Sequence, residues 1–138
     1  MSNYILELTD NDFDSQFILK IQPSELKKYN KSNKNVKVLV MFYAPWCGYC
    51  TRSMDDYNEL AKYYKDNSEI IIAKLNCEIY EDMINDFNRF ANTPKINGFP
   101  TILLFHNNLY YKKFNMDRSL DNYKLFLESG SSYKSFLD

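Results

Sequence analysis

The sequence has no hydrophobic run long enough to cross a membrane. Its longest, Val38 to Ala44, falls far short of the ~20 apolar residues a span requires. Charge of one sign is also missing: 17 Lys+Arg against 18 Asp+Glu leave a formal net charge of −1. A domain-wide basic field of the kind that holds nucleic acid by its phosphates is thereby excluded. Cysteine is scarce. Cys47, Cys50 and Cys77 are the only three, whereas a disulfide framework needs an even and usually larger set. A secretory signal is not evident, since Met1-Ser2-Asn3-Tyr4 lacks a basic segment and Glu7, Asp10, Asp12 and Asp14 arrive at once. The last residues, Ser-Phe-Leu-Asp, are not an ER-retention tail. These absences predict a cytoplasmic chain, or one working in a virion or assembly compartment, with no nucleic-acid or membrane partner.

With 138 residues, 45% hydrophobic and 25% charged, the composition is that of an ordinary globular chain, and one domain over 1–138 is expected. Arginine occurs only at 52, 89 and 118, while Lys, Asn and Tyr abound, a bias that AT-rich codons produce. Between about 22 and 37 the chain is rich in Lys and Asn. No aromatic or Gly-rich pattern for base contact is interleaved there, so the segment reads as an insertion forming a solvated helix end and loop rather than a basic docking patch.

Hydrophobic periodicity lays out the rest. Ile5–Leu8 reads as a first strand, and Phe13, Phe17 and Ile21, spaced four apart, predict a helix that Pro23 stops. Val36–Tyr43 is nearly continuous, β-branched and aromatic, as in a strand buried on both faces. Cys50, Met54, Tyr57, Ala61 and Tyr64 follow a helical period from about Cys47. Ile70–Leu75 is a second buried strand, and Met83, Ile84, Phe87 and Phe90 mark another helix. Thr101–Phe105 is a strand that turns at His106-Asn107-Asn108 into Leu109–Lys113. Ser119 caps a last helix bearing Leu120, Tyr123 and Leu127, with Gly130 ending it and a short tail over 130–138. The order predicts an α/β fold: a central mixed sheet, parallel strands plus a terminal antiparallel hairpin, flanked by helices.

A strand end followed by Cys47-Gly48-Tyr49-Cys50 and a helix has a chemical logic. Cys47 would stand at the helix N-terminus, where unpaired N–H groups and the macrodipole favour a thiolate. Cys50 could close on it in a small, reopenable disulfide, and Gly48 would permit a tight turn with room for a peptide. Cys-x-x-Cys alone does not separate redox chemistry from zinc. Its context does more. Residues 38–50, and Phe-Tyr-Ala-Pro-Trp-Cys-Gly within them, resemble the active site of the thioredoxin superfamily, most of all a catalytic domain of protein disulfide isomerase. Ile96-Asn97-Gly98-Phe99-Pro100-Thr101 resembles the family's cis-proline loop. Asn115–Leu120 through Leu127-Glu128-Ser129 is similar to its last helix and the arginine before it. The likeness runs from about Leu6 to Ser129.

This resemblance implies a thioredoxin fold and a thiol-disulfide oxidoreductase, with Cys47 attacking and Cys50 resolving the mixed disulfide. Pro100 would be cis, and Phe99 would offer backbone pairing to an extended substrate beside Gly98. Trp46, Tyr49 and Phe99 would rim the docking site, ordinary core packing being the alternative for Trp46 and Phe99. Arg118 would approach the resolving thiol, or else be a surface cation. No cofactor beyond the Cys47–Cys50 disulfide is implied. The partners would be protein thiols and disulfides, plus a reductase or oxidase that resets the pair, and the chain is expected to act as a monomer.

Two positions depart from the family. A buried acid usually lies six residues before the first cysteine; Met41 stands there and accepts no proton. Lys74, in the place of that acid's usual partner, is expected to lose its ion pair, leaving Cys50 to rely on water, Lys74 or Arg118. Asp55 replaces a helix-bending proline. Tyr49, where a histidine could stabilise the thiolate as a cation, predicts a potential of roughly −200 to −260 mV, below isomerase sites. A zinc site from Cys47, Cys50, Cys77 and His106 is the weaker alternative, because Cys77 and His106 belong to different loops. Cys77 reads as a buried, inert thiol, with a regulatory role as the alternative. A binding module with little turnover is the rival function; two intact cysteines favour the enzyme.

Overall fold

In a computed structural model of the protein, residues 3–128 are described; Gly130 and the tail over 130–138 lie outside them. The elements are β1 (Leu6–Leu8), a 3-10 turn (Asp10–Asp12), α1 (Pro23–Lys28), β2 (Lys37–Tyr43), α2 (Gly48–Tyr63), β3 (Ile70–Asn76), α3 (Glu81–Phe90), β4 (Thr101–His106), β5 (Leu109–Lys113) and α4 (Leu120–Glu128). The five strands form one sheet in the order β1-β3-β2-β4-β5. β1, β3 and β2 run parallel, β4 is antiparallel to β2, and β5 is antiparallel to β4. No helix among the described residues is long and apolar enough to cross a membrane.

The period-2 alternation of side chains divides the core into two layers. Leu6, Leu8, Val38, Val40, Phe42, Ile71 and Leu75 face one side, where Ile84 and Phe87 of α3 cover them. Leu39, Met41 and Ile72 face the other, against Tyr57 and Leu60 of α2 and Tyr123, Phe126 and Leu127 of α4. This double covering explains why β2 reads as an unbroken apolar run. The Tyr57 hydroxyl, wholly buried, lies 3.0 Å from the Leu39 carbonyl and 2.6 Å from that of Ala73, tying α2 to β2 and β3.

The helix expected over Phe13 to Ile21 does not form. Asp12 and Asp14 take the backbone instead. The Asp12 carboxylate accepts from Thr9 N–H at 2.8 Å and Gln22 N–H at 3.2 Å, and Asp14 accepts from Gln16 and Ile18. Short acidic side chains compete with helical hydrogen bonding in this way. Phe17 then sits at φ 61, and Phe13 bridges Leu19 as an isolated antiparallel pair. Phe13, Phe17 and Ile21 still pack on the α3-side core, so they keep their apolar role on a different backbone. Pro23 starts α1 rather than stopping a helix, at the N1 position where a missing N–H costs nothing.

The Lys/Asn-rich segment is more engaged than a solvated loop. Lys31 Nζ donates to the Tyr64 and Asn67 carbonyls at 2.9 and 2.8 Å, past the C-terminal end of α2. Lys37 Nζ donates to the Leu127 carbonyl in the last turn of α4 at 2.8 Å. Each cation satisfies orphan carbonyls at the negative end of a helix. Ser119 accepts from the Asn122 N–H at 3.2 Å and so caps the start of α4.

Candidate active site

The end of β2 delivers Ala44, and Pro45-Trp46 carries the chain into α2 beyond the carboxyl ends of the parallel strands, where α/β sheets leave a crevice. Cys47 is the N-cap of α2, and its Sγ accepts from the Cys50 N–H at 3.2 Å. The capping role of Ser or Asp is thus held by a sulfur, which accepts more strongly as thiolate. No acidic side chain stands in the first turn of α2 to oppose it. The Cys47 thiol also donates to the Phe99 carbonyl at 3.5 Å. Cys50 lies one turn inward, 2% exposed, in a small cluster with Cys47, Ala44, Tyr43 and Phe99. All three cysteines are free thiols.

The two thiols are set apart electrostatically. Burial pushes the Cys47 thiol up, but hydrogen bonds from Cys50 Sγ and from the Cys50 and Tyr49 amides, with the Arg118 charge, outweigh it and hold Cys47 below its ordinary value. Burial pushes Cys50 up to about 12, reinforced by its bond to Cys47 and only partly offset by the Ala44 backbone and Arg118. Cys47 is thus inclined to thiolate and Cys50 to thiol.

Phe99 comes from a loop fixed at both ends. Asn88 of α3 donates to the Ile96 carbonyl at 2.8 Å and accepts from the Ile96 N–H at 2.7 Å, and the Thr101 hydroxyl donates to the Gly98 carbonyl at 2.6 Å. The Phe99–Pro100 peptide is cis. A Cβ at Gly98 would meet nothing within 4 Å, so that position borders open space. Trp46 is 69% exposed and meets Phe99 edge-on, with centroids 5.8 Å apart, which rules out core packing for the indole. Tyr49 is also exposed, with the Arg52 guanidinium 4.6 Å from its ring centroid. Gly48 opens α2 without a positive φ, so no left-handed backbone demands glycine there. What Gly48 provides is space, since a Cβ there would come 3.3 Å from Arg52 Nη1. A cleft of about 440 Å³ runs beside the loop, lined among others by Phe99, Pro100, Lys113, Met116 and Arg118.

Met41 is fully buried in the α2-side core, opposite Lys74 in the β2–β3 register. Lys74 has not lost an ion pair, contrary to the expectation. Glu7, directly opposite it on β1, lies 3.6 Å from its ammonium, and the Tyr43 hydroxyl donates to the same carboxylate at 3.1 Å. Lys74 is therefore tied to Glu7 on the neighbouring strand. Asp55 interrupts nothing: α2 is continuous from Gly48 to Tyr63, and Asp55 lines an open cleft with Glu59 and Lys62.

Cys77 is closer to the pair than its sequence position implies. Its N–H donates to the Tyr43 carbonyl at 2.8 Å, and it is 5% exposed at the end of β3. Burial, then the charge of Cys50, pushes its thiol up to about 12. His106 pairs with Lys37 at the opposite end of β2, remote from Cys47. Among the described residues no group of three or more His, Cys, Asp or Glu is placed to hold a metal. The residues missed by sequence reading are Ser53, Arg52, Glu7 and Asn88. Only Ser53 carried a signal, a polar residue one turn after Cys50 on the buried face of α2.

Comparison with known proteins agrees with this geometry. The thioredoxin family model matches residues 17–129. Protein disulfide-isomerase of Drosophila melanogaster is 40% identical over 104 residues, which are 70% of this chain and 18% of that protein. Protein disulfide-isomerase 1 of Dictyostelium discoideum is 29% identical over 127 residues, 86% of this chain and 34% of the relative. The chain thus spans between about a fifth and a third of these relatives. Among solved structures, the zinc-bound form of human ERp44 superposes with a TM-score of 0.66 at 20% identity, covering 93% of this chain and 30% of that one. The Trx4 domain of ERdj5 gives 0.62 at 16% identity, covering 94% and 97%. The chain belongs to the thioredoxin family, as a domain of the protein disulfide-isomerase kind.

Proposed function

We propose that this chain is a thiol-disulfide oxidoreductase acting on protein disulfides, and that the Cys47–Cys50 pair is its whole redox unit, without a further cofactor. The observation that carries this reading is Cys47 capping α2, with the Cys50 N–H at 3.2 Å from its sulfur and the Phe99 carbonyl at 3.5 Å. Cys47 thiolate attacks one sulfur of a substrate disulfide, and the other sulfur leaves as a thiolate that takes a proton. Cys50 then loses its proton and attacks Cys47 Sγ, expelling the second substrate thiolate and closing Cys47–Cys50. Two electrons have passed to the substrate, and a dithiol reductase returns them. The same steps reversed oxidise a substrate dithiol.

An extended segment lying along Phe99 and Pro100, with Trp46 and Tyr49 as its apolar rim, would set a disulfide over Cys47. Tyr49 brings no cationic imidazole to stabilise the thiolate, which supports reduction as the working direction. Cys50→Ser tests the order of events. With insulin as the disulfide substrate, this variant is expected to accumulate a covalent adduct through Cys47 that dithiothreitol releases, while Cys47→Ser forms none. An absent adduct with insulin still retained non-covalently would replace the enzyme reading by a binding module.

A further inference from the structure

Arg118 is exposed, and a solvated arginine ordinarily samples many rotamers. Here it is fixed. Its Nε donates to Ser53 Oγ at 3.0 Å, and Ser53 Oγ in turn donates to the Tyr49 carbonyl at 2.8 Å. The single hydroxyl proton is therefore assigned to Tyr49, and the oxygen lone pairs are turned to the arginine. Ser53 is 7% exposed and sits one turn past Cys50 on α2. One turn further, the Asp56 carboxylate accepts from the Leu120 N–H at 3.1 Å, pinning the start of α4 to the same helix face. The guanidinium carbon lies 6.0 Å from the Tyr49 ring centroid, over the first turn of α2.

We propose that Ser53 is a positioning residue, whose hydroxyl holds the Arg118 guanidinium over the Cys47–Cys50 turn. The proposal deepens the exchange reading and rests on it for its use in the reaction. With Met41 in place of an acid and Lys74 bound to Glu7, Arg118, bonded to Ser53 one turn past Cys50 and set over Tyr49 between the two cysteines, is the cation placed to favour thiolate at both sulfurs. Among the described residues the other ionisable groups around the pair are Tyr49 and Arg52 on α2, Tyr43 at the end of β2 with the Glu7–Lys74 pair at its ring and hydroxyl, and Cys77 at the end of β3. Arg52 stacks on Tyr49, and Tyr43 and Cys77 resist ionisation through burial. A cation that stays in place favours thiolate at Cys47 before attack, and at Cys50 when the mixed disulfide must be resolved.

The test uses the reduced full-length chain and the variants Ser53→Ala, Ser53→Thr, Arg118→Met and the Ser53→Ala/Arg118→Met double. The pH midpoint of Cys47 alkylation by iodoacetamide and the rate of resolving a Cys47–glutathione mixed disulfide are measured for each. Ser53→Ala is expected to raise the midpoint by about half a pH unit and slow resolution about threefold at pH 7. Arg118→Met should do at least as much, the double variant no more than Arg118→Met, and Ser53→Thr should restore the wild-type profile. A Ser53→Ala midpoint equal to wild type, or a full Ser53 effect persisting without Arg118, overturns the tether. If wild type resolves no mixed disulfide but the midpoints shift as stated, the exchange reading fails and the tether stands. If resolution is normal and the midpoints do not respond, the tether alone fails.

Discussion

At the first turn of α2 two sulfurs three residues apart have opposite tendencies, Cys47 towards thiolate and Cys50 towards thiol, and Cys77 behind them shares the second. Groups whose folded pKa is raised favour the native state while they stay protonated. Their contribution is complete below the unfolded thiol value of about 8.5 and is lost as pH rises towards the folded value. For Cys50 and Cys77 that upper value is about 12. Denaturant titration of the reduced protein should show stability falling above pH 8.5, and Cys77→Ala should flatten the fall; an unchanged slope contradicts the burial argument. Met41 offers a second test. Met41→Glu would place a carboxylate opposite Lys74 on the strand register. Release of a mixed disulfide should quicken by at least about tenfold, as positioned proton acceptors allow. Stability should drop by about 1–3 kcal/mol for the buried polar group. If stopped-flow release is unchanged, proton removal from Cys50 does not limit the step. The sequence showed that an acid was missing at Met41. It could not show Glu7 beside Lys74, because that contact depends on β1 pairing with β3.

The elements differ in how far local sequence decides them. β2 and β3 were readable because both faces are covered and nearly every position is apolar. The turn at Asn107-Asn108 was readable because both residues take positive φ, at 52 and 75, which a two-residue hairpin turn demands. Asn30 and Asn35 share that conformation. With only three glycines in the chain, asparagine supplies most of the left-handed positions among the described residues, so part of its abundance is structural. The segment from Phe13 to Ile21 misled because an i, i+4, i+8 pattern records where apolar groups must lie, not which backbone brings them there. Asp12 and Asp14 had the stronger local claim. Besides the apolar packing of α2 on the sheet, the Tyr57 hydroxyl lies 3.0 and 2.6 Å from two strand carbonyls. Tyr57→Phe leaves those buried acceptors short of a donor. A loss of about 1–2 kcal/mol is expected by chemical denaturation, and a change within error would mean the bond adds nothing over packing.

For the whole molecule, parallel strands ending side by side carry the Cys47–Cys50 turn, and the loop from Ile96 to Thr101 closes over it from β4. Three separated stretches of sequence, around Cys47, Pro100 and Arg118, come together: Cys47 bonds the Phe99 carbonyl, Arg118 bonds Ser53, and Phe99, Pro100 and Arg118 line one cleft. Their spacing along the chain was visible without coordinates. The bonds that tie α2 to the Arg118 stretch were not, since Ser53 with Arg118 and Asp56 with the Leu120 N–H join positions far apart in sequence; nor was Asn88 holding Ile96, which depends on how the loop folds back on α3. The claim on which the rest depends is that Cys47 and Cys50 form a reversible redox pair. Trp46, the sole tryptophan, is 69% exposed and adjacent to Cys47, so its fluorescence should report the state of that pair. Titration across a graded glutathione redox buffer should give one two-electron transition, with a midpoint between about −200 and −260 mV. No transition, with both thiols still open to alkylation, would contradict the account.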